Sequence, residues 1–120
     1  MKIGIVACSG ASNTGILTTK AALKALSKDE NLGIVCAMGI PLGLENIVAN
    51  AKKHDKFIAL NGCELQCATK VLATIELKPD QNIVLTKDLN IAKNENYDEE
   101  THLEEVVDCI IKTAHKLKEE

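Results

Sequence analysis

Residues 61–67 read Asn-Gly-Cys-Glu-Leu-Gln-Cys and join two apolar runs, residues 56–60 before them and residues 68–77 after them. The first run is typical of a buried strand, and the second predicts a helix that begins at Cys63. On that helix Cys63 and Cys67 would face the same side, because residues four positions apart are neighbours on a helix surface. The free N–H groups of a first helical turn stabilise a thiolate. The sequence therefore predicts a pair of thiols, with Cys63 the more reactive, at a strand-to-helix junction.

Outside this junction the chain alternates between short Ile- and Val-rich runs and longer amphipathic runs. Alternation of this kind predicts a parallel β-sheet with helices on both faces, a three-layer α/β/α fold in one domain spanning residues 1–120. The predicted strands are residues 2–7, 32–36, 56–60 and 82–86, and the predicted helices are, approximately, residues 16–26, 44–54, 63–77 and 98–118. Right-handed crossovers favour the flavodoxin-like strand order 2-1-3-4, with the first and last helices on one face and the middle two on the other.

Three cysteines follow the first three predicted strands: Cys8, Cys36 and Cys63. Since the carboxyl ends of parallel strands meet at one edge, and neighbouring strands are about 5 Å apart, these thiols should lie near one another. Cys67 would complete a set of four. Four converging thiolates suit a tetrahedral zinc site, or they can anchor an iron–sulfur cluster. Cysteine is also a common small buried residue, so Cys36 taken alone carries little weight.

The pattern Cys8-Ser9-Gly10 with Ser12 after the first strand, Cys36 after the second and Gly62-Cys63 with Cys67 after the third resembles the DGC-domain family. That family takes its name from a central Asp-Gly-Cys. The resemblance covers nearly the whole chain and implies a zinc-binding domain with Cys8, Cys36, Cys63 and Cys67 as chelators. It implies no particular biochemical role.

This chain departs from the family pattern at one position, because Asn61 stands where the family name expects Asp. A role that needs a carboxylate at this position is therefore in doubt. An Asn side chain retains the oxygen needed to cap the helix that follows.

The formal net charge of -3 and the absence of Arg argue against several classes of protein. Without a basic block, nucleic acid and anionic membrane surfaces are not expected partners. A cysteine phosphatase with Cys8 as nucleophile would need a loop cation, usually Arg, but Thr14 occupies the sixth position after Cys8. No apolar run approaches the roughly 20 residues of a membrane span or the core of a signal peptide. We therefore expect a cytoplasmic protein whose five cysteines serve metal binding or thiol chemistry rather than disulfides.

Two alternatives to a zinc protein remain at this stage. One is a thiol-dependent or metal-assisted enzyme that uses Cys63 at the same edge of the sheet. The other is an iron–sulfur protein or a metal carrier. Cys109, on the last predicted helix, is expected to be a buried and inert thiol rather than a fifth ligand. The sequence does not specify a substrate or an oligomeric state.

Overall fold

Four short parallel strands form the centre of the computed structural model, which describes residues 1–120. The strands are β1 (Ile3–Ala7), β2 (Leu32–Val35), β3 (Lys56–Asn61) and β4 (Gln81–Val84). Their order is β2-β1-β3-β4, and every pair is parallel. The predicted winding is therefore confirmed. The central strands are buried on both faces, which explains why their sequences are continuously apolar and do not alternate.

Five helices surround the sheet. They are α1 (Asn13–Leu26), α2 (Glu45–Lys52), α3 (Cys67–Ala73), α4 (Leu85–Asp88) and α5 (Leu103–Lys118). The larger part of the core contains the buried residues of α1 and α5 together with one face of the strands. The smaller part contains Ala51 of α2 and Ala68 and Leu72 of α3 against the other face. This division of the helices between the two faces is the predicted one, and the arrangement is a three-layer α/β/α fold.

The helix predicted for residues 63–77 differs most from the structure. α3 begins at Cys67, because residues 62–66 form a turn that ends with Gln66 at a φ of +52°. The helix ends in a Schellman motif: Glu76 has a φ of +60°, and the N–H of Leu77 donates to the carbonyl of Leu72. This motif ends the helix at Ala73, short of the predicted end at residue 77. The prediction that Cys63 opens the helix was wrong.

Smaller differences concern the ends of other elements. The single-turn helix α4 immediately follows β4 and was not predicted, and α5 begins at Leu103 instead of near residue 98. The apolar side of α5 faces the core, and its residues Val106, Val107 and Ile110 are all fully inaccessible to solvent. None of the helices combines the length and the hydropathy needed to cross a membrane.

Candidate metal and thiol site

The structure places the four predicted ligands at the carboxyl edge of the sheet. Cys8 directly follows β1, Cys36 directly follows β2, and Cys63 is the second residue after β3. Cys67 is the first residue of α3. We call these four residues the thiol edge. All four are free cysteines; Cys8 and Cys63 are half-buried, whereas Cys36 and Cys67 are exposed.

Within the thiol edge, Cys8 and Cys63 are neighbours of Cys67. Although Cys67 is exposed, partial desolvation raises the pKa of its thiol, and the neighbouring Cys8 and Cys63 raise this pKa further. Lys70 acts in the opposite direction. Cys8 and Cys63 are therefore close enough to oppose the ionisation of the Cys67 thiol. Negative charge on this group of sulfurs needs a compensating cation.

Cys36 approaches the same group from β2. Cys8, Cys36 and Cys67 together line a cavity of about 410 Å³ on the side of the sheet covered by α2 and α3. Its other walls are mainly apolar and include Met38 and Val71.

The thiol edge does not have the geometry of a metal site in this structure. No set of three or more Cys, His, Asp or Glu side chains in the structure has its ligand atoms placed to hold a metal ion. The chemistry of the four sulfur donors suits zinc or another soft cation. The four cysteines are thus the right kind of ligand for such a metal. Their sulfurs do not form a coordination shell in this conformation.

The loop after Cys8 is fastened to the first turn of α1. The Ser12 hydroxyl caps the helix by accepting the N–H of Gly15 at 3.0 Å. Ser9 has a φ of +55°, and its N–H donates to the Thr18 hydroxyl at 3.2 Å. The Ser9 hydroxyl pairs with Thr19. These bonds fix the direction in which the chain leaves β1, and with it the position of Cys8.

Three glycines let the loops of the thiol edge pack backbone to backbone. A Cβ atom on Gly15 would lie 2.5 Å from the carbonyl oxygen of Gly10, and one on Gly62 would lie 2.8 Å from the nitrogen of Gly15. Real Cβ atoms are not found so close to backbone atoms. The absence of a side chain at these positions therefore allows the turn before Cys63 to contact the start of α1.

Asn61 supports the turn that contains Cys63. Its side chain is fully buried, and its Oδ1 atom accepts the N–H of Ala68 at 3.0 Å and that of Thr69 at 3.4 Å. Its Nδ2 atom donates to the Thr69 hydroxyl at 3.1 Å, and that hydroxyl donates to Asn82 at 2.6 Å. Asn61 thus caps α3 across the intervening turn, which confirms that Asn can take this role in place of Asp.

Sequence reasoning did not identify Lys93 as a residue of the site. Its Nζ atom lies 3.5 Å from the sulfur of Cys63. Asn13 holds this part of the chain in place: its Nδ2 donates to the carbonyl of Ala92 at 2.7 Å, and its Oδ1 accepts the N–H of Asn94 at 2.6 Å. The polar residues before α1, including Asn13, are the one local feature of the sequence that could have indicated this contact.

Cys109 lies apart from the thiol edge. It is half-buried on α5 and packs against the larger part of the core. Burial raises the pKa of its thiol, the hydrogen bond with Thr113 lowers it, and the nearby Asp88 raises it. These contacts agree with the expectation of an inert thiol, and they make Cys109 a suitable control position.

The fold and this edge together define a class: a three-layer α/β/α protein with a cysteine cluster at the carboxyl ends of its parallel strands. The family model described as "DGC domain" matches residues 4–111. The chain belongs to the DGC family.

The chain is also similar to one characterised bacterial protein. The "Anaerobic and virulence modulator AnvM" of Pseudomonas aeruginosa is 30% identical over 83 residues, which cover 69% of this chain and 63% of that protein. The chain thus matches less than two thirds of the length of this relative. No solved structure matches the chain.

Proposed function

We propose that this protein binds one zinc ion through Cys8, Cys36, Cys63 and Cys67. The observation that carries the proposal is that Cys8, Cys36 and Cys67, from three separate segments, line one cavity. Cys63 lies near Cys67 as well. These residues come from separate segments of the chain, so their proximity is a product of the fold. A zinc ion would supply the positive charge that this group of sulfurs needs.

No three of the four sulfurs are placed to share a metal ion, so the loops that carry Cys36 and Cys63 would have to shift for the site to close. Both lie in irregular segments outside the helices and strands, where the backbone can adjust at lower cost than inside an element. Cys8 and Cys67 would provide the fixed half of the site, and the loops carrying Cys36 and Cys63 would complete it. Zinc would then fasten three loops at the carboxyl edge of the sheet.

The similarity to AnvM favours a regulatory use of this site over catalysis, because that relative is named as a modulator. We therefore propose no catalytic reaction at the zinc site. Zinc held by four thiolates has no free coordination position, which is typical of structural rather than catalytic zinc.

The test is metal analysis and a visible spectrum on protein purified without oxygen and without chelators. The intact protein should contain about one zinc per chain and be colourless, as expected for a thiolate zinc site. The variants Cys8→Ser and Cys67→Ser should bind zinc more than about 100-fold less tightly, since changing even the residues that support zinc ligands costs 10–100-fold. Cys109→Ser is the matched control and should retain zinc.

The outcomes distinguish the alternatives. A brown protein that contains iron and sulfide would show that the site holds an iron–sulfur cluster instead of zinc. Metal-free protein that fails to take up zinc, or equal zinc binding by all three variants, would contradict the proposal.

A second candidate, a thiol-dependent activity at Cys63, is favoured by the contact with Lys93. An ammonium group beside a sulfur stabilises the negative charge of an attacking thiolate. This reason replaces the helix terminus, which the structure does not place at Cys63.

In metal-free protein, Cys63 should therefore react with iodoacetamide faster than the other four thiols, and Cys109 should react slowest. Lys93→Gln should slow the reaction of Cys63 about fivefold, the effect of roughly 1 kcal/mol for an exposed charge pair. Lys87→Gln removes an exposed Lys from α4 and should leave the rate unchanged. The rates are measured by timed alkylation and peptide mass spectrometry. A Cys109 that reacts first, or a Cys63 rate that is equal in both variants, would rule out this candidate.

A further inference from the structure

A shallow cleft lies beside the thiol edge, at the carboxyl ends of β3 and β4. Its volume is about 560 Å³, and its walls are the turn after β3 and the segment around α4 and residues 90–93. Cys63 and Lys93 both line it, whereas Cys8, Cys36 and Cys67 do not. We call it the Lys93 cleft. It is a separate space from the cavity that Cys8, Cys36 and Cys67 share.

Lys93 gives the cleft a positive charge that the protein itself does not neutralise. Six ion pairs occur in the structure, and Lys93 belongs to none of them. Its one polar side-chain contact is with the sulfur of Cys63. The backbone on either side of Lys93 is held by Asn13 through Ala92 and Asn94. The ammonium group therefore extends from a fixed backbone, which lowers the ordering cost of binding an anion.

Thr86 provides an independent observation on the same cleft. Its Oγ1 atom is the single buried side-chain oxygen or nitrogen in the protein without a hydrogen-bond partner. The residue lines the cleft and is only half-buried as a whole. An unpartnered buried hydroxyl costs about 1–3 kcal/mol. Rotation about the Cα–Cβ bond exchanges the hydroxyl with the other substituents of Cβ, so an acceptor in the cleft can recruit the hydroxyl and remove this cost.

Backbone donors line the cleft as well. No hydrogen bond within the protein uses the N–H of Glu64, Leu65 or Lys93. The Glu64 side chain also lies at the cleft, but it is exposed and free to turn towards solvent. The cleft thus combines one unpaired cation with a hydroxyl and amide donors that lack acceptors.

We infer that the Lys93 cleft binds a small carboxylate, with one oxygen at the Lys93 ammonium and the other accepting the Thr86 hydroxyl. A carboxylate matches the single cation and the free donors of the cleft because it carries one negative charge and two acceptor oxygens. A phosphate dianion is a poorer match for the cleft. The cleft has a single cation, the chain contains no Arg, and the Glu64 carboxylate lies nearby. The bound carboxylate lies next to the sulfur of Cys63, so the ligand and the thiol edge share one residue.

A rival explanation is that Lys93 serves only Cys63, as a hydrogen-bond donor to a sulfur that binds metal. That role would not involve Thr86 and would give no response to carboxylates. The experiment therefore includes a probe of metal binding together with probes of anion binding.

The test is a titration of the ¹⁵N-labelled full-length chain, as purified, with sodium acetate at constant ionic strength. Amide signals of Glu64, Leu65 and Lys93 should shift in a saturable manner, and the neutral isostere acetamide should leave them in place. Lys93→Gln should weaken acetate binding about tenfold or more, since the ammonium provides the charge-assisted bond. Thr86→Val, which removes only the hydroxyl, should weaken it about threefold. Lys87→Gln, the matched control, should bind acetate like the unaltered protein.

Four results would overturn the inference. They are the absence of saturable shifts, equal acetate binding by Lys93→Gln and Lys87→Gln, and equal binding of acetate and acetamide. The fourth is tighter binding of inorganic phosphate than of acetate, which contradicts the choice of a carboxylate. Loss of bound zinc in Lys93→Gln without any acetate response in the unaltered protein would establish the rival role.

Discussion

Replacing Gly15 with Ala should destabilise the protein by about 3 kcal/mol, the upper part of the range for overpacking a close-packed site. Gly15 lies in the first turn of α1, where helix propensity alone would favour Ala by about 1 kcal/mol. The structure predicts the opposite sign, because the new Cβ would lie 2.5 Å from the carbonyl oxygen of Gly10. That oxygen belongs to the loop that positions Cys8, so the backbone must move.

The measurement is the free energy of unfolding from urea denaturation followed by circular dichroism. Gly43→Ala is the control, because a Cβ at this position would meet no atom within 4 Å. Its cost should come only from the φ of +70°, about 1 kcal/mol. A Gly15→Ala variant that is as stable as the unaltered protein, or more stable, would show that the loop after β1 is not packed as described.

Replacing Asn61 with Leu should cost about 3 kcal/mol or more, because two buried N–H groups at the start of α3 would lose their acceptor. The side chain is fully buried, so water cannot replace the lost oxygen without opening the core. The turn containing Cys63 should also loosen, since Asn61 and the N–H groups of Ala68 and Thr69 join its two ends. Hydrogen exchange of these two amides would report the local effect, and urea denaturation the global one.

Asn61→Asp is the informative partner of this variant, because it introduces the residue that gives the family its name. Its carboxylate keeps the acceptor for both N–H groups and lies favourably at a helix N-terminus. Thr69 would donate to the new carboxylate, and the exposed Asn82 would turn its amide to donate to Thr69. The loss should therefore stay below about 1 kcal/mol. Equal losses for the Leu and Asp variants would refute the capping role of Asn61.

The fold could be predicted because its signals are local and repeated. Each strand is a short Ile- and Val-rich run, and each crossover is an amphipathic run. The strand order then followed from the handedness of parallel crossovers. The convergence of Cys8, Cys36 and Cys63 on one edge is a consequence of that order, and the structure shows all three immediately beyond strands β1, β2 and β3.

The start of α3 could not be predicted from the same signals. Cys63 and Cys67 have a helical spacing, and Glu64 and Leu65 are good helix formers. Tertiary contacts decide against the helix: Gly62 packs on the backbone of Gly15, and Asn61 caps the helix only from Ala68 onward.

Lys93 could not be assigned to the site for a different reason. It lies in a weakly patterned loop, and its position depends on hydrogen bonds from Asn13, about 80 residues away in the sequence. Contacts over such a separation leave no periodic signal in either segment.

The hydrogen bonds between Asn13 and residues 92 and 94 also bear on the order in which parts of the structure can form during synthesis. Proteins emerge from the ribosome N-terminus first, and contacts between distant residues pay a loop-closure entropy before they are formed. All four cysteines of the thiol edge, together with β1, β2, β3 and α3, are present once the chain has emerged through Ala73. Ala92 and Asn94 reach Asn13 only later, across separations of 79 and 81 residues. A nascent chain therefore contains all four cysteines of the thiol edge before it contains Lys93, so these thiols are present while the neighbouring cleft is still absent.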